Sequence, residues 1–273
     1  MMTCCGAADA MPRSSACNIV TPTRWLLSPR ARKVYVSRLI ALPEPGIAMT
    51  TSYVIPALTQ PSIPVAGESK SFPVRRIWCV GRNYLEHIRE MGNDERQPPF
   101  FFAKHADMVT GDGATIPYPS LTKDFQHEVE LVVALKSGGP NIDPAKALDH
   151  VYGYGVGIDM TRRDLQIASR KKEQPWEIGK SFDFSAPCGA LRPAAEIGHP
   201  VKGKIWLSVN GTEKQKGDLS EMIWNVPEII GKLSLQVSLG AGEILLTGTP
   251  AGVGPVQPGD KIECGIDGIG TLK

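Results

Sequence analysis

The stretch His127-Glu128-Val129-Glu130-Leu131-Val132-Val133-Ala134-Leu135 decides how this chain is read. Side chains alternate across a β-strand, so Val129, Leu131 and Val133 share one face and Glu128, Glu130, Val132 and Ala134 share the other. Apolar residues on both faces indicate a covered strand. Two carboxylates side by side at the end of such a strand repel each other, and either they take up protons or a cation lies between them. The competing arrangement has both glutamates facing solvent on an edge strand, where they would meet lysines.

Working outward, Val151 to Ile158 reads as a second strand, with Gly153, Gly155 and Gly157 leaving one face bare for close approach by a backbone or ligand. Asp159 follows as another strand-end carboxylate, unless it only caps the next helix. Three carboxylates with water suit a hard six-coordinate ion, Mg2+ or Mn2+. Further strands are expected at 77–80, 100–103, 115–118, 204–209, 243–247 and 261–266, with a hairpin turn at Asn210-Gly211. Helices are expected from Asn83 to Met91, from Asp143-Pro144 for a short run, from Asp159 or Thr161 to Lys172, and from Asn225 onward. Strands outnumber helices and no strand–helix–strand unit repeats. The fold class is therefore mixed α+β, mostly β, and neither doubly wound nor an eightfold barrel. Tyr152-Gly153-Tyr154-Gly155-Val156-Gly157 does not match the glycine spacing of a dinucleotide loop.

Three other constellations carry chemistry. His87 and Glu90 stand three apart on the helix that follows Gly81, so a carboxylate can orient an imidazole for general-base work; a plain surface hydrogen bond is the alternative. Arg163 and Gln166 share a helix face suited to a carboxylate ligand, or form an ordinary solvated face. Lys180 stands in a largely apolar and aromatic stretch, Trp176 to Phe184. The run Thr247-Gly248-Thr249-Pro250-Ala251-Gly252-Val253-Gly254 after a buried strand can bind an anionic oxygen or be a plain turn. It lacks the Gly-Lys-Ser/Thr ending of a phosphate loop.

Bulk properties exclude several classes. A net charge of +2 spread over 273 residues, without a basic and aromatic stripe, argues against nucleic acid. No apolar run approaches the roughly 20 residues of a membrane span. Cys4, Cys5, Cys17, Cys79, Cys188 and Cys264 form no CxxC pair, which argues against a zinc site and for a reducing compartment, taken as the cytoplasm. Residues 1–48 carry six basic residues against two acidic and show no clean period. They read as a disordered or artefactual extension, with Met49 as a possible true start; a targeting leader or an ordered arm are the alternatives. Residues 49–75, with prolines at 56, 61, 64 and 73, read as an extended lead-in, and 76–273 as the catalytic domain.

Taken in order, these motifs resemble the fumarylacetoacetate hydrolase family from about Ile77 to Leu272. The likeness rests on Gly81-Arg82-Asn83-Tyr84 with His87 and Glu90, His127-Glu128-Val129-Glu130, Gly157 to Asp164, Lys180-Ser181-Phe182-Asp183 and Thr247 to Gly254. It implies the family's β roll and homodimer. It implies Glu128, Glu130 and Asp159 as ligands to Mg2+ or Mn2+. His87, Glu90 and Lys180 would be catalytic, and Arg82, Arg163, Gln166 and Thr249 would bind a small oxo acid. Pro98-Pro99-Phe100-Phe101-Phe102 and Pro175 to Lys180 look like the fumarylpyruvate hydrolases within the family. Lys104-His105 departs from a common Lys-Pro. The expected reaction is hydrolysis of the C–C bond of an acylpyruvate, most simply fumarylpyruvate to fumarate and pyruvate. The alternatives are an oxaloacetate decarboxylase or dienoate decarboxylase/isomerase, and a non-catalytic metal-stabilised binding protein.

Overall fold

The computed structural model describes residues 52–84 and 97–273. A boundary between Ala57 and Leu58 sets off the unit Leu58–Lys273, which holds the sheets and the site. The extension 1–48 and the helix expected after Asn83, with His87 and Glu90, lie outside the described residues.

The central element is a six-stranded sheet ordered Arg192–Pro193, Val151–Ile158, Val129–Leu135, Glu243–Leu246, Arg76–Gly81 and Phe100–Lys104. Its pairs are antiparallel except that Glu243–Leu246 runs parallel to Arg76–Gly81. Every residue of Val129–Leu135 is buried. Val129, Leu131, Val133 and Leu135 face a core shared with Ile205, Leu207, Cys264, Ile229 and Leu233, whereas Val132 and Ala134 face a second core with Ile63, Phe72, Ile77 and Ile244. The alternation read from the sequence is thus realised with both faces covered. The first core is closed by a four-stranded antiparallel sheet, Thr212–Asp218, Lys204–Val209, Ile262–Ile266 and Gly270–Leu272, and by helix Val226–Ser234.

The glycines of Val151–Ile158 do what their spacing suggested. A Cβ on Gly153 would lie 2.3 Å from the Arg192 carbonyl oxygen, and one on Gly157 would lie 2.6 Å from Val132 Cγ2. Asn210-Gly211 turns the Lys204–Val209 hairpin with φ of 51° and 78°. Such left-handed values at both central residues are what a tight hairpin of the matching twist requires. Asn225 caps helix Val226–Ser234, accepting from the Glu228 N–H at 3.0 Å.

Some expectations are corrected. Residues 115–118 are not a strand, because Pro117 and Pro119 remove ladder donors. Within the lead-in, Ser62–Pro64 pairs with Ser71–Pro73 as a short hairpin. The long strand is interrupted at Glu128, between Phe125–His127 and Val129–Leu135. Asp159 caps nothing: a short strand, Thr161–Arg162, intervenes before helix Arg163–Lys171, whose start has no side-chain cap.

Candidate metal and substrate site

The sheet register builds the site. Val129 pairs with Ile158 and Glu130 with Gly157. The next residue, Asp159, therefore lies beside Glu128, and its N–H donates to the Glu128 carbonyl at 2.8 Å. Glu128, Glu130 and Asp159 are 6%, 2% and 1% exposed, and one carboxylate oxygen from each lies within 4.8 Å of the others. The neighbouring strand Glu243–Leu246 delivers the glycine-rich loop to the same point. Gly248, at φ 95°, donates its N–H to Glu130 Oε2 at 2.7 Å. A side chain at Gly248 would meet Asn83 Cβ at 2.7 Å.

Cations surround two of the three acids. Lys180 Nζ donates to Asp159 Oδ2 at 2.6 Å, Thr161 Oγ1 at 2.7 Å and Glu128 Oε2 at 2.8 Å. Gly179 makes that approach possible, since a Cβ there would lie 2.7 Å from the Gln166 nitrogen. Arg163 pairs with the other Glu128 oxygen, and donates to Gln166 Oε1 at 2.5 Å and Gln126 Oε1 at 2.7 Å. Burial pushes the Glu128 carboxyl up, but Lys180 and Arg163 outweigh it and hold the group well below the usual range. Burial likewise pulls Lys180 down, yet Asp159 and Glu128 leave its ammonium more basic than usual. Glu130 forms no ion pair among the described residues. Burial, Asp159 and Glu128 push its carboxyl well above the ordinary range.

This donor set fits a divalent ion. Glu130 is a buried, repelled acid with a single backbone N–H for support. Asp159 Oδ1 is buried 2.9 Å from Lys104 Nζ but makes no hydrogen bond of proper direction. Three hard oxygen donors converging with one repelled group among them is the chemistry of a Mg2+ or Mn2+ site.

A cavity of about 370 Å³ opens onto the three carboxylates. Arg163, Gln166, Ile167 and Arg170 line it from one face of helix Arg163–Lys171, as their three- and four-residue spacing requires. Arg82, Trp176, Lys180 and Thr249 line it from other elements. Arg82 has a φ of 61°, and its Nε is buried without a hydrogen-bond partner. Burial and the neighbouring charge of Arg170 both make that guanidinium easier to deprotonate. Two guanidinium groups repelling each other beside a cavity favour an anionic guest.

Of the site residues named from the sequence, Lys180, Arg82, Gln166, Thr249, Arg163, Glu128, Glu130 and Asp159 all meet at this cavity and its acidic cluster. His87 and Glu90 fall outside the described residues. Three residues were missed: Arg170, which lines the cavity one turn beyond Gln166, Lys104 and Gln215. Lys104, 2% exposed, pairs with Asp159 and donates to the carbonyls of Met160, at 3.3 Å, and Lys180. Its one signal was a lysine closing an apolar strand. Gln215, wholly buried, carried none. His105, the departure from Lys-Pro, is exposed.

The acidic cluster and its cavity define a candidate metal-dependent site open to an anionic substrate. Residues 76–273 match the model of the fumarylacetoacetate (FAA) hydrolase C-terminal family, and the chain belongs to that family. It is 42% identical to the human mitochondrial oxaloacetate tautomerase FAHD1 over 209 residues, which covers 74% of this chain and 95% of that protein. It is 41% identical over 199 residues to the mitochondrial oxaloacetate decarboxylase of Dictyostelium discoideum, covering 72% of this chain and 91% of that protein. The crystal structure of fumarylpyruvate hydrolase from Pseudomonas aeruginosa in complex with Mn2+ and pyruvate superposes with a TM-score of 0.79 at 47% identity, covering 81% of this chain and 97% of that one. These findings bear out the mixed, sheet-dominated β-roll fold.

They also correct the cytoplasmic location. The human relative and the same-named proteins of four other mammals are mitochondrial. Free, buried Cys79, Cys188 and Cys264 show only that disulfides are not used among them, which a reducing organelle interior permits as well as the cytoplasm does. No described helix is long and apolar enough to cross a membrane.

Proposed function

We propose that this protein acts on oxaloacetate or a close 2-oxo diacid, by decarboxylation or tautomerisation, with Mg2+ or Mn2+ held by Glu128, Glu130 and Asp159. The observation that carries this proposal is the convergence of three buried carboxylates on a cavity also lined by three guanidinium groups, those of Arg82, Arg163 and Arg170. When bound, the ion supplies a Lewis acid that draws off negative charge from the 2-oxo acid end. Lys180, whose three N–H groups are engaged by Asp159, Glu128 and Thr161, would turn one of them to a substrate oxygen as charge develops, once an ion shares the charge of the two acids. Thr249 and Gln166 orient the substrate, and Arg82 with Arg170 holds the second carboxylate. His87, with Glu90, is assigned the holding or moving of the proton. The relatives that act on oxaloacetate support this substrate class.

Fumarylpyruvate hydrolysis is the second reading, favoured by the likeness to the Pseudomonas enzyme that carries Mn2+ and pyruvate. In that reaction His87 would deprotonate a water that attacks the distal carbonyl, and the cleaved bond would leave fumarate and pyruvate. In either case a homodimer with one site per subunit, built from residues 76–273, is the proposed form.

Purified protein supplied with Mn2+ is to be assayed on both substrates by the loss of enol absorbance and by product analysis. Oxaloacetate should be preferred in kcat/KM by about tenfold or more. The reverse ranking would replace the first reading by the second, and turnover of neither would overturn both.

A further inference from the structure

Gln215 lies on strand Thr212–Asp218, whose other residues are mostly exposed and polar. The register shift between Leu207 and Ser208 leaves Lys214 without a ladder partner and pairs Gln215 with Leu207, both facing inward. The Thr247–Gly254 loop lies directly on this strand: a Cβ on Gly252 would fall 2.1 Å from the Lys214 carbonyl oxygen, and one on Gly217 would fall 2.8 Å from Pro250 Cβ. Gln215 thus joins the acidic strand to the loop that carries Thr249.

Two backbone groups fix its orientation. The Val129 N–H can only donate, so the Gln215 atom 3.1 Å from it is the amide oxygen. The Pro250 carbonyl can only accept, so the atom 2.9 Å from it is the amide nitrogen. Two consequences follow. His127 Nδ1, 2.8 Å from the same amide oxygen, must carry a proton. Thr249 Oγ1, 2.8 Å from the amide nitrogen, must accept. The Thr249 hydroxyl is then left with its proton to donate, and among the described residues it donates to none. Thr249 lines the cavity.

We propose that Gln215 is a positioning residue that fixes the Thr249 hydroxyl as a hydrogen-bond donor toward an anionic oxygen of the substrate. The inference rests on the proposed 2-oxo acid chemistry, since it needs an oxyanion in the cavity. Threonine alone can donate or accept there; the glutamine amide removes the choice. A site built this way favours a carboxylate or enolate oxygen over a group that could only donate.

Oxalate, a mimic of the 2-oxo acid end, is the probe, titrated by calorimetry into Mn2+-loaded protein. Gln215→Met should weaken oxalate by about tenfold, the cost of a misdirected hydrogen bond to a charged group. In a Thr249→Val background the same change should cost less than about threefold, because the hydroxyl it orients is gone. Mn2+ affinity should change little in either background. Should Gln215→Met fail to fold, Gln215→Glu carries the same comparison, since it keeps the acceptor toward Val129 and His127 and loses the donor to Thr249. In the metal-free wild type, nitrogen-15 NMR should show His127 protonated at Nδ1. Equal losses in both backgrounds, no loss in the first, or a His127 protonated only at Nε2 would each overturn the inference while leaving the proposed function intact. Wild-type protein that binds Mn2+ but no oxalate would overturn the proposed function, and this inference with it.

Discussion

Glu130→Gln is expected to lower Mn2+ affinity by about a hundredfold or more, since even outer groups around a metal cost up to that much when lost. Glu130 is the discriminating choice among the three acids. Glu128 and Asp159 are each paired to cations of the chain. Changing either one disturbs those pairs as well as any ion. Among the described residues Glu130 has only the Gly248 N–H at 2.7 Å, and a glutamine carbonyl can accept that bond equally well. Burial and two neighbouring acids already oppose its charge. In chelator, the variant should therefore melt at or above the wild-type temperature, since a repelled buried charge is gone. Calorimetry with Mn2+ and thermal melts in chelator check both halves. Undiminished Mn2+ affinity, or a large loss of metal-free stability, would mean that Glu130 serves the fold and not an ion.

Lys180→Met is expected to separate binding from chemistry. Its ammonium bridges Glu128, Asp159 and Thr161. Removing one partner of a buried ion pair costs about 3–5 kcal/mol, so the variant should melt well below wild type in chelator. Mn2+ should restore most of that loss, because the ion can neutralise the same two carboxylates. Turnover should nonetheless stay down by about 10²–10³-fold, the usual cost of one positioned donor at a developing oxyanion. Melting curves with and without Mn2+, set beside steady-state kinetics, provide the check. Normal turnover would remove Lys180 from the chemistry.

The sequence made the acidic cluster legible because strand alternation is a local rule. Glu128 and Glu130 stand two apart, and Asp159 ends the strand that pairs with theirs. The same rule gave the two-faced burial of Val129–Leu135. What it could not give were side chains whose partners are distant. Asn83 fits the cap pattern of a helix that lies outside the described residues, but nothing in the sequence signalled that its side chain accepts from the Trp224 N–H at 2.8 Å and donates to the Thr247 carbonyl at 2.7 Å. Gln215 reaches His127, 88 positions away, from a strand that reads as solvent-facing. Lys104 reaches Asp159 by the same kind of long-range meeting. Arg163, expected to bind the substrate, lines the cavity, and no sign in the sequence showed that its guanidinium would also meet Glu128, Gln126 and Gln166. The substrate itself was least legible: motifs around the metal are common to reactions that share an enolate, and the distinction lies in the cavity lining.

The most direct test of a metal held by these three acids is anomalous diffraction from crystals soaked in Mn2+. A single strong peak should appear among Glu128, Glu130 and Asp159, with one carboxylate oxygen of each at about 2.0–2.6 Å, the range for hard divalent ions on oxygen. No peak there at saturating Mn2+, with Asp159 still held by Lys104 and Lys180, would contradict it.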